Sequence, residues 1–124
     1  MVDDPMLVLE GDRKKGKVEK RALLEKDVED PVCRYARNRH GMKAEKFTSP
    51  SRRAVPDRLF SVKTKSPGGF AFFIEFKAPG KEATEKQAKD HKERRKMGFK
   101  VFVVDDITRG KRIVDAMAAF AAEL

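Results

Sequence analysis

The sequence predicts an α/β domain with the element order α-β-β-β-α-β-α, and three observations lead to this prediction. Apolar residues recur at helical spacing within residues 23–40 and again within residues 109–123. Residues 58–63 and 70–77 have strand-like patterns and flank a Pro-Gly-Gly turn, which predicts a β-hairpin. The strongly apolar run at residues 99–104 follows a charged helical segment, so a further strand is expected after the hairpin.

The first helix is predicted from an apolar stripe. Its members are Leu24, Val28, Val32, Tyr35 and Ala36. Gly41 suits the position just past the end of this helix. Pro31 is tolerated only in a first turn or at a kink, so the helix is expected to begin near Val28 or to bend at Pro31.

The remaining elements follow from turn and capping signals. Residues 43–48 are predicted to form the first strand, which leads into a polar TSPSRR loop. Thr84 and Gln87 have capping-box spacing for a helix that runs to about Met97 and is closed by Gly98. The last helix carries the stripe Ile113, Val114, Met117, Phe120 and Ala121. Residues 1–20 are predicted to be an N-terminal arm, separate from a domain at residues 21–124.

Composition limits the classes of function. The chain has 124 residues, enough for one domain, and its 29 Lys and Arg against 20 acids give a net charge of +9. This excess favours a polyanionic partner, because each cation that neutralises a phosphate releases counterions. There is no apolar run of the ~20 residues that span a bilayer, and no signal-peptide core. We therefore expect an intracellular, cytoplasmic protein without membrane attachment.

The few sulfur and imidazole groups argue against structural metal chemistry. Cys33 is the single cysteine, so the chain has no internal disulfide. With only His40 and His91 in addition, a zinc site is not expected. We predict that Cys33 packs as a small apolar residue on a helix face and that both histidines lie at the surface.

Two acids and a lysine are expected to meet at one end of the hairpin. Asp57 precedes the first hairpin strand, and Glu75 and Lys77 lie near the end of the second, so antiparallel pairing brings them together. Alternation places Glu75 and Lys77 on the same face. Charges on a buried strand are costly unless they are compensated, and a divalent cation would compensate them. The alternative is a surface salt bridge at a sheet edge.

Three blocks of the sequence resemble one nuclease family. They are KFTSPSRRAVPDRLF at residues 46–60, FIEFKAPGKEATEKQ at residues 73–87 and MGFKVFVVDD at residues 97–106. In this order they resemble the VRR-NUC domain, the virus-type replication and repair branch of the PD-(D/E)XK nucleases. The resemblance covers most of residues 25–115 and implies an αβββαβ core, here with an extra C-terminal helix. Ala54 stands where the family usually has Gly, which affects the preceding turn.

The resemblance implies a DNA endonuclease that depends on Mg²⁺ or Mn²⁺. Asp57 and Glu75 would hold the metal through carboxylate oxygens, and the backbone carbonyl of Phe76 would be a further ligand. Lys77 would orient the attacking water or stabilise the charge of the transition state.

The family also places a helical glutamate and a glutamine at its site. Glu29 is the better match for the helical acid and metal ligand, and Glu25, one turn earlier, is the alternative. Both could instead be solvated acids at a helix start. Gln87 could lie near the active site, cap its helix, or do both.

The substrate and assembly are expected from charge and family. The predicted nucleic-acid-binding residues are Ser49, Ser51, Arg52, Arg53, Arg58 and Lys81. A homodimer is expected, and its contact is either the MLVLE segment or the terminal apolar stripe of Met117, Phe120, Ala121 and Leu124. The expected substrate is the four-way Holliday junction. The alternatives are a flap or single-strand DNA nuclease, or a DNA-binding module with a vestigial site.

Overall fold

The computed structural model describes residues 22–48 and 55–124. The predicted arm at residues 1–20 lies outside the described residues. So do Ala54 and the four loop candidates Ser49, Ser51, Arg52 and Arg53.

The predicted element order and fold class are confirmed. The elements are α1 (Glu25–His40), β1 (Lys43–Lys46), β2 (Arg58–Val62), β3 (Phe70–Phe76), α2 (Glu85–Lys96), β4 (Val101–Val104) and α3 (Ile107–Ala122). The strands form one sheet in the order β1-β2-β3-β4. The first two pairings are antiparallel, and β3 and β4 are parallel. A parallel pair needs a crossover connection, which α2 provides.

Helix α1 starts earlier than Val28, which was one of the two predictions for this helix. It begins at Glu25 and has Pro31 inside it, so a start near Val28 is wrong. The Asp27 carboxylate accepts the Leu24 N–H at 2.7 Å, and the Leu24 carbonyl accepts the Asp27 N–H at 2.9 Å. These bonds close the first turn before the proline removes a donor. The helix ends as predicted at Gly41, which has a φ of 66°.

The core lies between the sheet and the pair of helices α1 and α3. Its largest side chains come from the hairpin, where the Phe60 and Phe72 rings stack with centroids 4.9 Å apart. Val32 of α1 and Val114 of α3 are fully buried against them. Cys33 is buried in the same cluster, as predicted.

Most of the predicted C-terminal stripe packs into the chain's own core. Ala121 is buried, and Met117 packs against the core cluster. Phe120 remains 41% exposed although its ring lies 5.1 Å from that of Phe70, and Leu124 is also exposed. The stripe therefore leaves only its outer residues as free apolar surface. None of the helices in the described parts of the chain is long and apolar enough to cross a membrane.

Gly110 of α3 lies directly against Val32 of α1 and Val104 of β4. A Cβ atom built there would lie 2.6 Å from Val32 Cγ2 and 3.1 Å from Val104 Cγ1. We therefore expect Gly110→Ala to lower the free energy of unfolding by about 1–3 kcal/mol through overpacking. Thermal unfolding measures this, with Thr108→Ala on the exposed side of α3 as a control that changes stability by less than ~0.5 kcal/mol. Unchanged stability in Gly110→Ala would mean that the helices are not packed this tightly.

Candidate active site

The hairpin brings Asp57 to the end of β3. Arg58 pairs with Ile74, so Asp57 lies just outside the ladder and beside the last residues of β3. The Phe76 N–H donates to Asp57 Oδ2 at 2.9 Å, and the Phe47 N–H donates to the Asp57 carbonyl at 2.8 Å. The Asp57 carboxylate is thus fixed by the backbone of β3, next to Glu75.

Glu75 points from β3 toward α2 and is only 2% exposed. Gln87 Nε2 donates to Glu75 Oε2 at 3.0 Å, and Lys77 Nζ lies 3.7 Å from the same oxygen. The other end of the Gln87 amide accepts the Thr84 N–H at 2.9 Å, while Thr84 Oγ1 accepts the Gln87 N–H at 3.2 Å. The predicted capping box is therefore confirmed, and the same glutamine also touches Glu75.

Burial and mutual repulsion favour the protonated form of this acid pair. Burial, reinforced by the Asp57 charge, raises the pKa of Glu75 to about 8, although Lys77 opposes the shift. Burial also raises the pKa of Asp57, and the hydrogen bond from the Phe76 N–H opposes this. At neutral pH such a pair holds a proton unless a cation replaces it.

The two candidate helical acids have different surroundings. Glu29 is buried and accepts a hydrogen bond from Arg58 Nε at 2.5 Å, and Lys46 Nζ lies 3.4 Å away. Glu25 is exposed, and partial burial and the charge of the nearby Asp57 raise its pKa. Both acids therefore lie near enough to Asp57 for their charges to interact, and Glu29 is in addition engaged by two cations.

The described nucleic-acid candidates are placed differently from each other. Besides its bond to Glu29, Arg58 donates from Nη1 to the Ala44 carbonyl at 2.9 Å, so its guanidinium is held inside the protein. Lys81 is exposed in the loop between β3 and α2. Only Lys81 of these two has a charge that is free to meet solvent.

Comparisons with known proteins show which proteins this chain resembles. No family model matches the chain. It is 38% identical over 85 residues to "Putative nuclease p44" of Acyrthosiphon pisum secondary endosymbiont phage 1, a match that covers 68% of this chain and 86% of that protein. A solved structure described as "VRR_NUC domain" has a TM-score of 0.56 and 27% identity, and covers 68% of this chain and 90% of its own. The chain belongs to the VRR-NUC nuclease family.

The donor atoms of this VRR-NUC domain fit a hard divalent cation. In residues 22–48 and 55–124 no group of three or more His, Cys, Asp and Glu side chains is arranged to hold a metal. The oxygen donors are instead the Asp57 and Glu75 carboxylates and the neighbouring backbone. Glu75 Oε1 is buried and has no hydrogen-bond partner in the described structure. An unpartnered buried carboxylate oxygen is a fitting ligand for Mg²⁺ or Mn²⁺, which prefer oxygen donors.

One residue beside Glu75, His91, is absent from the site residues predicted from the sequence. His91 was expected at the surface, which is wrong: it is 1% exposed, and its Nε2 lies 3.9 Å from Glu75 Oε1. The signal was available, because His91 follows Gln87 by one helical turn and so shares its face of α2. Burial, together with the nearby Arg95, lowers the pKa of His91. His40 is half-buried and pairs with Asp115 at 2.7 Å, so it is not a simple surface residue either.

A cation–aromatic cluster holds α2 against the sheet behind this site. The Arg94 guanidinium lies 5.4 Å from the centroid of the Phe47 ring and 5.3 Å from that of Phe73. Asp90 is buried and accepts a hydrogen bond from Arg94 Nε at 2.7 Å. These contacts are made by α2 residues other than the pair that faces Glu75, so they anchor the helix independently of the site.

Proposed function

We propose that this chain is a Mg²⁺- or Mn²⁺-dependent endonuclease that hydrolyses DNA phosphodiester bonds. The observation that carries the proposal is the buried Glu75 beside Asp57, with one carboxylate oxygen unpartnered. Asp57, Glu75 and the Phe76 carbonyl would hold the metal. When bound, such an ion activates water for attack and neutralises charge on the phosphoryl group.

The chain's own residues have distinct roles in this proposal. Lys77 lies at the same end of the sheet, with its ammonium close to Glu75, where it can stabilise negative charge that develops on the phosphate. Gln87 holds Oε2 of Glu75 in place. Glu25, whose carboxyl lies near Asp57, is the better-placed helical acid, and Glu29 is the alternative.

Metal dependence gives the direct test of the chemistry. Labelled DNA should be cut with Mg²⁺ or Mn²⁺, and cleavage should stop when EDTA removes the metal. Asp57→Ala should lose at least ~10³-fold in rate while it stays folded, because it removes one of two carboxylate ligands. Cleavage that persists without divalent metal, or full activity in Asp57→Ala, would overturn the proposal. Equal and negligible Mn²⁺ binding heats for wild type and Glu75→Ala would favour a DNA-binding module with a vestigial site.

We also propose that the substrate is branched DNA, cut by a homodimer at a four-way Holliday junction. A two-fold dimer carries two active sites of matched geometry, which suits paired cuts at a junction. The net charge of +9 supports affinity through phosphates rather than base edges. Phe120 and Leu124 offer exposed apolar surface for a self-contact.

Substrate and assembly are tested separately. Four-way junction, 5′ flap, single strand and duplex are incubated in parallel with metal, and paired nicks on the junction are expected. A clear preference for flap or single strand would overturn the junction assignment and leave the nuclease assignment intact. Light scattering at micromolar concentration should give a dimer mass, and a monomer mass would contradict the homodimer.

A further inference from the structure

Helix α2 presents two side chains to Glu75, one helical turn apart. Gln87 donates to Oε2 at 3.0 Å, whereas Oε1 faces His91 Nε2 at 3.9 Å. Oε1 and Nε2 are both buried, and neither has a hydrogen-bond partner within the described structure. Helix α2 thus approaches both oxygens of Glu75. Gln87 forms a hydrogen bond with one oxygen, and His91 lies just beyond hydrogen-bonding distance of the other.

The contact between His91 Nε2 and Glu75 Oε1 is only slightly longer than a hydrogen bond. Buried polar atoms are almost always paired with protein or with ordered water. The 3.9 Å separation exceeds an ordinary N–H···O distance by only about 1 Å, so a small side-chain movement or one bridging water would pair both atoms. Because a carboxylate oxygen has two acceptor sites, such a bond leaves each oxygen of Glu75 able to face a metal.

We propose that His91 is a positioning residue for metal binding: its Nε2–H holds Oε1 of Glu75, directly or through one water, as Gln87 holds Oε2. This inference rests on the proposed function. Its consequence is that α2 fixes the carboxylate orientation needed for joint binding by Asp57 and Glu75. Partners that orient metal ligands in this way are typically worth 10–100-fold in metal affinity or activity.

Two substitutions separate positioning from space filling. His91→Leu keeps apolar bulk and loses the donor, whereas His91→Gln keeps an amide N–H near the position of Nε2. We expect His91→Leu to weaken Mn²⁺ binding and to lower kcat by about 10–100-fold, and His91→Gln to restore most of both. If His91 only fills space, both variants lower the unfolding temperature and leave the Mn²⁺ Kd and kcat unchanged.

The measurements are Mn²⁺ calorimetry, thermal unfolding in EDTA, and cleavage of one labelled DNA. Asp90→Asn is the matched control, because Asp90 is a buried α2 residue, 3% exposed, whose carboxylate accepts a hydrogen bond from Arg94 Nε. If His91→Leu does not fold, His91→Asn, whose amide sits nearer the Nδ1 position, is compared with His91→Gln. Equal Mn²⁺ affinity in these two would overturn the inference.

The outcomes for wild type distinguish the two proposals. Wild-type protein that neither binds Mn²⁺ nor cleaves DNA overturns the proposed function. Wild-type protein that does both, with His91→Leu equal to it, overturns only the role of His91. A matching loss of Mn²⁺ affinity in Asp90→Asn would also overturn that role, because it would assign the effect to loosening of α2.

A second and independent observation concerns a basic groove between α1 and α3. The groove is lined by Pro31, Arg34, Tyr35, Asn38, Arg39, Ile107 and Lys111. Across the part of the chain that the structure covers, Arg34, Arg39 and Lys111 make no ion pair with an acid. The nearby Asp115 is engaged by the Tyr35 hydroxyl at 2.9 Å and by His40 Nε2 at 2.7 Å. Among the described residues, three cations therefore share one groove without a direct ion pair, and the acid beside them, Asp115, is engaged by Tyr35 and His40.

We infer that this groove binds the phosphate backbone of a DNA segment other than the one being cut. Along α1, the groove residues begin roughly 9 Å from Glu25 and end roughly 21 Å from it, at 1.5 Å per residue. The cations Arg34 and Arg39 lie roughly 14 Å and 21 Å along this axis, or about four to six base pairs at 3.4 Å each. They can therefore hold DNA that lies beyond a very short linear duplex, and the further arms of a branched substrate supply such DNA. The inference rests on the proposed DNA nuclease and deepens its substrate class.

Salt dependence of binding tests the groove. In EDTA, the triple variant Arg34→Ala/Arg39→Ala/Lys111→Ala should reduce the slope of log K against log salt for a four-way junction by about 2–3, since each phosphate contact contributes about 0.9. The control is Lys63→Ala/Lys65→Ala/Arg112→Ala, which removes the same charge from exposed positions elsewhere. Equal slope changes in both variants would assign the effect to net charge and overturn the groove.

Cleavage of a very short linear duplex separates this inference from the proposed function. The groove variant should cut that duplex at the wild-type rate and lose junction affinity. If wild type cuts no DNA at all, the nuclease proposal fails first. If the groove variant binds the junction with the wild-type slope, only the groove assignment fails.

Discussion

Glu75→Gln should abolish cleavage and, at the same time, stabilise the metal-free protein at alkaline pH. The loss of activity, at least ~10³-fold, follows because Glu75 is a charged ligand of the metal that we propose for this site. The gain in stability follows because Glu75 is buried beside Asp57, and burial disfavours its ionised form. A site that binds a cation thus weakens the fold when the cation is absent.

The pH dependence has a definite sign. The pKa of Glu75 is about 8 in the folded chain, against an ordinary value of 4.5. Below pH 4.5 the group is protonated in both states and does not affect the free energy of unfolding. Between those values the folded state binds more protons than the unfolded state, so stability falls as pH rises. Glu75→Gln cannot ionise and should lack this fall.

The measurement is the unfolding temperature in EDTA at about pH 5 and at about pH 8.5. The unfolding temperatures of wild type and Glu75→Gln should differ more at the higher pH. The difference should grow by roughly 4–8 °C for each 1 kcal/mol by which the ionised Glu75 lowers the free energy of unfolding. Glu45→Gln on exposed β1 is the control and should show no such pH-dependent difference. Added Mn²⁺ should restore wild-type stability at the higher pH and have little effect on Glu75→Gln. Parallel pH profiles for the two proteins would contradict the prediction.

Glu25→Gln and Glu29→Gln should separate catalysis from stability on one helix. Glu29 is buried and bonded to Arg58, so its neutralisation leaves a largely buried guanidinium without its carboxylate. We expect Glu29→Gln to lose about 2 kcal/mol or more of the free energy of unfolding. Glu25 is exposed and lies near Asp57, so Glu25→Gln should keep wild-type stability and lose cleavage by about 10–100-fold.

Chemical denaturation and single-turnover cleavage, measured on the same preparations, test this pair. Each variant is the control for the other, because both remove one negative charge from the same helix. Replacing Arg58 by Met in the Glu29→Gln background should recover part of the lost stability, since it removes the unpaired charge. A stable, inactive Glu29→Gln with a fully active Glu25→Gln would instead make Glu29 the helical acid of the site.

The sequence alone determined the order of the elements and the end of the sheet at which the acids meet. Period-two alternation in the hairpin sets which face is buried, and the Pro-Gly-Gly turn sets the register, so that together they place Asp57 beside Glu75. The family resemblance rested on three blocks in order, which cover parts of the hairpin, the start of α2 and β4. The cap formed by Thr84 is local in sequence and was predicted from its spacing to Gln87.

Only the tertiary structure decided which side chains face the site from elsewhere in the chain. Helical spacing puts Glu25 and Glu29 on one face of α1, but it is Glu29 that Arg58 engages, and Arg58 comes from β2. His91 lies in a strongly charged helix whose pattern favours solvent. It is buried because α2 crosses the sheet at Glu75, and this crossing depends on packing between segments that are distant in sequence.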